Sequence, residues 1–450
     1  MSAVATLPMS GTDAAPRARR GRVKTLATLA ALTCLAPLNA AVVLPTWLLS
    51  LPLKSRARQS SGTVLVSGGK MTKAAQIARS FHAAGWRVVL AETETYRLTG
   101  HRFSRAVDSF VTVPEPTSPD YARALRDIVK SENVDLYIPV CSPVASWHDS
   151  RAARSLPCPT LHLDPERLGE VDDKFRFAQA ARARGLRAPK SLRITDPQQV
   201  LDYDFGAETR PFILKSIRYD AIRRLDLTFL PRPIRAQTRA FVEALPISED
   251  NPWVMQEFIT GREFCTHGTV RDGRLTIHIC CESSPFQINY AHVDRPDIRA
   301  WVERFVDQPG FTGQVAFDFI EAEDDGEVYA IECNPRTHSA ITLFKGAPGL
   351  PEAYAGEREG VLEPPAGARP TYWLYHELFR LLTGFGEGRL ARLHTLARGR
   401  DAVFSWRDPL PFFALHHLHI PALLLRELRE GRGWYRIDFN IGKLVQSGGD

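Results

Sequence analysis

The stretch GQVAFDFIEAEDDGEVYAIECNPR, residues 313–336, constrains the chain more than any other. Two segments of alternating apolar and polar residues flank Asp324-Asp325-Gly326. A glycine able to take positive φ at the third position predicts a three-residue hairpin loop. Centring that loop on position 325 sets Asp318 directly opposite Glu332, with both side chains on one face. Asn334 follows two residues beyond Glu332 and shares the face. Directly opposed carboxylates repel each other across a sheet. Two of them with an amide oxygen at a strand end form a hard-oxygen set suited to Mg²⁺ held together with phosphate oxygens. The alternative is a solvated polar face, which the surrounding apolar residues disfavour. Pro335 ends the strand, and the planar fork of Arg336 suits a phosphate transferred at such an ion.

The rest of the chain is large enough to build a cleft around such a site. Its 450 residues, 44% hydrophobic and 24% charged, exclude a disordered, collagenous or polytopic membrane protein and allow two or three domains. The formal charge of +6 is unevenly placed. Residues 1–60 hold eight basic residues (Arg17, Arg19, Arg20, Arg22, Lys24, Lys54, Arg56, Arg58) and one acid, Asp13, so the remaining 390 carry −1. A nucleic-acid-binding domain would spread its excess over a folded face, so that class is excluded.

Between Lys24 and Lys54 lie 29 uncharged residues, enough at about 20 per crossing to span a bilayer. Basic clusters at both ends keep the flanks cytoplasmic. This predicts a cytoplasmic protein attached to the anionic inner face of the membrane through residues 1–60. Pro37 and Pro45 suit a re-entrant hairpin or interfacial helices better than one straight span, and the alternative is a hydrophobic extension folded onto the body. Seven cysteines (Cys34, Cys141, Cys158, Cys265, Cys280, Cys281, Cys333) without a CxxC pair read as reduced thiols. Cys280 and Cys281 are expected on opposite faces of a strand.

From residue 62, strands TVLVSGG, WRVVLAET, FVTVP and VDLYIPVCSP alternate with helical segments over 72–84 and YARALRDIVKSE, which predicts a Rossmann-like parallel sheet over 62–165. Ligands of such sheets gather at the carboxyl ends of the strands. Gly68, Gly69, Lys70 and Ser142 are therefore candidate substrate contacts, with a turn that simply needs two glycines as the equal alternative for the first three. An α+β segment follows over 166–349, then a Pro/Gly/Glu-rich linker over 350–370 and an aromatic, basic helical extension over 371–450. The extension's histidines 416, 417 and 419 lack an acidic or cysteine partner and read as packing or a second membrane contact. No internal repeat is visible.

Lys174 begins a helix after Asp172-Asp173, and Lys215 ends the apolar strand FILKS. Taken in order, Asp-Lys174, Lys215, QEFITGREF at 256–264, Asp318 and ECNPR at 332–336 resemble the ATP-grasp superfamily. The resemblance implies an ATP-grasp fold, an α/β plus α+β arrangement with a Rossmann-like amino-terminal domain, here preceded by the hydrophobic segment. It implies that Lys174 and Lys215 contact ATP phosphates, that the hinge Gln256-Glu257-Phe258-Ile259 holds adenine largely by backbone groups, that Glu263 lies near the ribose or metal, and that Asp318, Glu332 and Asn334 form a two-Mg²⁺ site. The chain departs from many members in SIRYDAIRRLDL, which has no glycine between Ser216 and Leu227, so Arg218, Arg223 or Arg224 could supply contacts that a glycine-rich loop would make or bind an anionic substrate, Arg218 being the candidate substrate contact, with a solvated helix face as the equal alternative.

SGGKMTKA, TGHRFSRAVD, IPVCSPVAS, LKSIRYD, CTHGTV, CCESSPFQINY, ECNPRTHSAIT and DFNIGKLVQSGGD resemble the mycosporine-glycine synthetase branch over about residues 60–450. That resemblance implies 4-deoxygadusol, glycine and ATP as substrates. The cyclohexenone is a vinylogous acid, so phosphorylating its enol oxygen prepares it for attack by glycine nitrogen. Arg336 is then expected to stabilise the transferring phosphoryl group, and His338 or His267 to accept a proton. Ser283, Ser284, Gln287, Asn289 and Tyr290 are candidate contacts to substrate hydroxyls. Two other readings compete: an ATP-grasp carboxylate-amine ligase acting on a true carboxylate, and a non-catalytic, membrane-bound nucleotide-binding protein.

Overall fold

The computed structural model describes residues 14–51, 61–218, 220, 223, 226–283, 289–384 and 388–446, with side chains from residue 21 onward. Four strands, β1 (Thr63–Val66), β2 (Arg87–Thr93), β3 (Ser109–Val113) and β4 (Leu136–Ile138), form a parallel sheet in the order β3-β2-β1-β4. They are joined through helices on both faces. Helix α1 (Ala14–Ser50) precedes the sheet, α2 (Thr72–Ala83) covers one face, and α3 (Tyr121–Ser131) and α4 (Pro143–Ala153) cover the other. Alternate residues of the strands go to the two cores. Val64, Val66, Val88 and Leu90 pack with Ala74, Ile77 and Phe81 of α2, while Leu65, Val89 and Ala91 pack with Leu125 and Val129 of α3.

Helices α5 (Pro165–Asp172) and α6 (Lys174–Ala183) lead into a small antiparallel sheet, β5 (Ser191–Ile194), β6 (Phe212–Ser216) and β7 (Trp253–Glu257), ordered β5-β7-β6. A larger antiparallel sheet follows, ordered β12-β11-β8-β9, from β8 (Gly261–Arg271), β9 (Arg274–Glu282), β11 (Gly313–Ala322) and β12 (Val328–Asn334), with the short β10 (Asn289–Tyr290) lying between β9 and β11 in sequence. One face of the larger sheet is aromatic. Phe264, Phe317 and Phe319 pack with Phe177 of α6 and with Trp301 and Phe305 of helix Pro296–Val306. Trp301 stacks on Phe305 at 5.2 Å and meets Phe319 edge-on at 5.2 Å, geometries that favour aromatic pairs beyond their buried area. Cys280 lies in this core and Cys281 in the core on the other side, as strand alternation requires. All seven cysteines are free.

The stretch read as a linker is stitched to the sheet. Leu362 exchanges backbone hydrogen bonds with β9, donating to Thr276 at 2.8 Å and accepting from His278 at 2.9 Å. The carboxyl-terminal part is largely helical, with helices Leu374–Thr383, Arg389–Arg398, Leu410–Ala414 and Ile420–Glu430, the last two joined through a π-helical turn, Leu415–His419. His416 and His419 are buried in it, and desolvation holds both imidazoles down at about 3, so they are neutral packing groups.

The expectation that Pro37 and Pro45 break the hydrophobic run is corrected. Both lie inside one continuous helix, α1. A helix-interior proline removes one ladder bond, and the docking of α1 on the carboxyl-terminal helices carries it through. Lys24 lies over the Trp434 ring, Trp434 donates to Thr25, and Asn39 bonds Tyr375 and His417.

Candidate active site

Strand β11 pairs with β12 so that Asp318 lies opposite Glu332, Phe317 opposite Cys333 and Ala316 opposite Asn334, the register read from the sequence. Nearer the turn the ladder differs by one residue. Phe319 pairs with Ala330, and Ala322 closes the loop by donating to Glu327 at 2.9 Å, so the loop has four residues rather than three. Gly326 takes φ +71°, the conformation for which it was singled out. A bulge between positions 318 and 319, in which Ile331 is the extra residue, restores the register at the carboxylates.

The facing set is compact. The Asn334 amide nitrogen donates to Asp318 at 3.1 Å and to Glu332 at 3.4 Å, while Arg336 donates to the Asn334 oxygen at 2.5 Å. Lys174, at the start of α6, lies 3.5 Å from Glu332. Asp173 caps that helix by accepting from the amides of Phe175 and Arg176, which fixes where Lys174 emerges. Lys215 on β6 donates to Gln256 of β7 at 3.2 Å, and Gln256 reaches across to the Ile331 carbonyl at 3.4 Å. The small sheet and the hairpin therefore face each other across this group of side chains.

The electrostatics show two carboxylates in conflict. Burial and the neighbouring Glu332 raise the Asp318 carboxyl well above the ordinary carboxylate range. Burial alone would also raise Glu332, but the ammonium groups of Lys174 and Lys215 overcome it and hold that carboxyl at about 2. Lys215 is itself lowered by desolvation, with Glu332 opposing the shift. A divalent cation between the carboxylates would remove the repulsion. Among the described residues no three Asp, Glu, His or Cys side chains converge into a closed ion cage. The donor set thus fits Mg²⁺ that takes two carboxylates from the protein and the rest from phosphate and water, provided the Asn334 amide turns its oxygen toward the ion.

The other expected residues fall into groups. In the hinge, the amides of Glu257 and Phe258 donate to the carbonyls of Lys190 and Pro211, both at 2.8 Å, and the Glu257 carboxylate accepts from the Lys190 amide and Arg210. Ile259 is buried against Ile320 and Ala322. Glu263 is exposed on the same face of β8 as Cys265, which pairs with Asp318, and its charge acts on both Asp318 and Lys215. His267 is fully buried. It accepts from the His338 amide at 3.3 Å, and desolvation followed by the nearby His338 and Lys73 keeps it neutral. His338 accepts from the Ala340 amide, faces Tyr290 edge-on at 5.2 Å, and is pushed down to about 3 by burial, Lys73 and Arg336.

In the Gly68-Gly69-Lys70 turn the amides of Gly69 and Lys70 are bonded within the protein. Gly69 donates to Ala91 at 3.0 Å, Lys70 to Glu92 at 2.8 Å, and the Lys70 ammonium pairs with the buried Glu92 at 3.4 Å. A Cβ on Gly68 would sit 2.0 Å from the Val140 carbonyl oxygen, so the first glycine is required by close packing. Ser142 caps α4 by accepting from Ala145 at 3.2 Å. Ser283 follows the end of β9, its amide bonded to the Glu263 carbonyl at 2.9 Å, and Arg218 is exposed after β6. Ser284, Gln287 and Arg224 lie outside the described residues. Arg223 pairs with Asp220 at 3.1 Å.

One nearby group was not singled out from the sequence. Lys73 on α2 is buried and donates to the Thr337 carbonyl at 2.6 Å, beside Arg336. Its signal was a second lysine three positions past the glycine turn, on a helix whose next two residues are alanines. Two hollows of about 500 and 550 Å³, bordered by residues of 345–369 with Arg400 and by residues of 200–238, are lined by none of the candidate site residues.

No family model matches the chain. It is 23% identical over 227 residues to the carbamoyl phosphate synthase large chain of Vibrio cholerae, covering 46% of this chain and 20% of that protein. It is 24% identical over 238 residues to the carboxyl-terminal section of the same large chain from Methanopyrus kandleri, covering 46% and 42%. The chain thus spans less than half the length of the curated relatives it matches. Among solved structures it is similar to N5-carboxyaminoimidazole synthetase from Staphylococcus aureus complexed with ADP, with 13% identity, 64% of this chain and 74% of that one covered, and a TM-score of 0.48. The architecture described above is a parallel-sheet unit followed by a small antiparallel sheet facing a larger one.

Proposed function

We propose that this chain is an ADP-forming ATP-grasp ligase, and that it joins glycine to 4-deoxygadusol through a phosphorylated enol to give mycosporine-glycine. The observation that carries the ligase reading is the single cluster of Asp318, Glu332, Asn334, Arg336, Lys174 and Lys215 between two facing sheets. Similarity to a large chain named for making carbamoyl phosphate supports it. The particular substrates rest on the resemblance of the motifs at 67–74, 280–290 and 332–342.

In this reading Lys174 and Lys215 neutralise ATP phosphates, and the hinge at Gln256–Ile259 borders the base with its apolar Phe258 and Ile259 and whatever backbone groups Lys190 and Pro211 leave open. Mg²⁺, two ions by the resemblance, would be held by Asp318, Glu332 and Asn334 and would supply charge neutralisation for the transferring phosphate. Arg336 donates to the phosphoryl group as it moves from ATP to the enol oxygen. Glycine nitrogen then adds to the carbon bearing phosphate, loses a proton and expels phosphate. An imidazole held at about 3 is a weak proton acceptor, so His338 contributes shape and hydrogen bonding to the acceptor side rather than basicity.

Asp318→Ala and Glu332→Ala are expected to abolish ADP release while circular dichroism stays native. Wild-type ADP release in either variant refutes the metal assignment. The carboxylate-amine ligase alternative shares every residue role above and differs in the acceptor alone, so an acceptor panel separates the two. Helix α1 is read as a membrane-surface anchor facing anionic lipid on the cytoplasmic side. It presents Leu26, Leu38, Val42, Leu48 and Leu49 to solvent while its other side docks on the body.

A further inference from the structure

Lys73 and Arg336 come from different units and meet at the seam between the parallel sheet and the larger antiparallel sheet. Lys73 is 7% exposed, and its ammonium bonds the Thr337 carbonyl at 2.6 Å. Arg336 bonds the Asn334 amide oxygen. Among the described residues neither cation has an ion-pair partner, although most arginines and lysines around the site do. Buried cations are ordinarily paired, because leaving water without a counter-charge is costly. Arg336 also acts on the carboxylates of Asp318 and Glu332, so the buried cation without an ion-pair partner is Lys73, and it marks a place for an anion that the described residues do not supply.

The carboxyl-terminal segment closes the same seam. The Thr72 amide donates to Asn440 at 2.9 Å, the Asn440 amide donates to Ser339 at 2.8 Å, and a Cβ on Gly442 would sit 2.4 Å from the Lys70 carbonyl oxygen. The Asn440 side-chain oxygen is buried and has no partner among the described residues. Tyr290 and His338 meet at 5.2 Å beside it. Asp438 acts on Lys73 electrostatically, but its carboxylate caps the Ile441 amide at 3.0 Å and faces Arg436 at 3.7 Å.

We infer that Lys73, Arg336 and the segment 438–442 enclose the binding site for the oxyanion of the organic acceptor, a carboxylate or vinylogous enolate, with Lys73 as its cationic partner. This deepens the ligase reading and rests on it. Desolvation and Arg336 push the Lys73 ammonium down to about 7, against the smaller pull of Cys141 and Asp438, and the other titratable groups facing it, His267 and His338, are neutral. An arriving anion would raise it again, so at pH 8 binding takes up a proton. The glycine turn at 68–70 then serves to present α2 rather than to touch substrate.

The test is calorimetric titration of the full chain, with and without MgADP, using 4-deoxygadusol, glycine, glutamate and inorganic phosphate as probes. At least one organic anion should bind with proton uptake at pH 8. Lys73→Met should weaken it by about 20-fold or more and abolish the uptake, the scale of one charge-assisted hydrogen bond. Lys73→Arg should recover most of the affinity, and Asn440→Ala should weaken it by about 5-fold, one hydrogen bond's worth. All three variants should bind MgADP as wild type does. Organic-anion binding that is indifferent to Lys73→Met, binding of phosphate alone, or no anion binding at all overturns the inference. Failure of MgADP to bind wild type condemns the nucleotide reading instead and leaves the anion titrations, run without nucleotide, to decide this one.

Discussion

Replacing Asp318 by asparagine should make the protein more stable and inactive at once. The Asn334 nitrogen lies 3.1 Å from an Asp318 oxygen and 3.4 Å from a Glu332 oxygen, which puts those oxygens at most 6.5 Å apart. At an effective dielectric near 20, two full charges at that distance repel by about 2.5 kcal/mol. Lys174 and Lys215 offset part of this, and the Glu332 side chain is 30% exposed, so the net gain from removing one charge is about 1–2 kcal/mol. The asparagine introduced there can also donate to Glu332 and accept from Asn334, so no buried group is left without a partner. The sign with pH follows from the raised Asp318 carboxyl: its contribution is fully present below the unfolded carboxyl range and is lost as pH rises through the raised value. Scanning fluorimetry from pH 4 to 8 without metal should therefore show Asp318→Asn melting about 2–6 °C above wild type near neutrality, with the gap closing toward pH 4. Adding MgADP should raise the wild-type midpoint and leave the variant nearly unmoved. A variant that melts below wild type at pH 8, or whose gap does not depend on pH, refutes the reasoning that these carboxylates form a repulsive pair awaiting a cation.

Arg336→Ala should lower kcat by about 100-fold or more in a coupled ADP assay while ATP affinity changes little, the behaviour of a group acting on developing charge; an equal drop in ATP binding contradicts that role. Lys215→Met should raise the KM for ATP by at least about tenfold, in line with the removal of one charge-assisted hydrogen bond to phosphate. Glu332→Gln should remove stability that wild type shows above the unfolded glutamate value and loses as pH falls toward about 2, read as a smaller acid-induced drop in denaturation midpoint. Deleting residues 1–60 should move the protein from the membrane pellet to the supernatant with activity retained, and unchanged sedimentation contradicts the anchor.

The carboxylate pair was legible because strand alternation and a glycine turn are local signals. The agreement nevertheless hides two compensating departures. The loop holds one residue more than expected, and the bulge at Ile331 restores the register, so Asp318 and Glu332 meet as centring on position 325 required. The bulge lies on the edge strand β12, beside Ala330, whose amide bonds the Arg187 carbonyl outside the hairpin, a partner that no pattern within 313–336 reports. The parallel sheet was equally legible from its alternating strands and helices. At Gly68-Gly69-Lys70 the sequence carried no sign of the long-range partners that hold the turn: Ala91, Glu92 and the close approach of Val140. The same limit hid Lys73, whose importance comes from Thr337 and Arg336, more than 260 residues away in the chain. The continuity of α1 likewise depends on Tyr375, His417 and Trp434 rather than on its own prolines.

The central claim is that ATP phosphorylates the acceptor's enol oxygen before glycine displaces it. Incubating the full chain with ATP, Mg²⁺, glycine and 4-deoxygadusol carrying ¹⁸O at both oxygens of its vinylogous acid tests it directly by mass spectrometry of the products. The account predicts one ADP for each amino-cyclohexenone formed, with one ¹⁸O recovered in inorganic phosphate. Product formed with unlabelled phosphate, or without ATP cleavage, contradicts it.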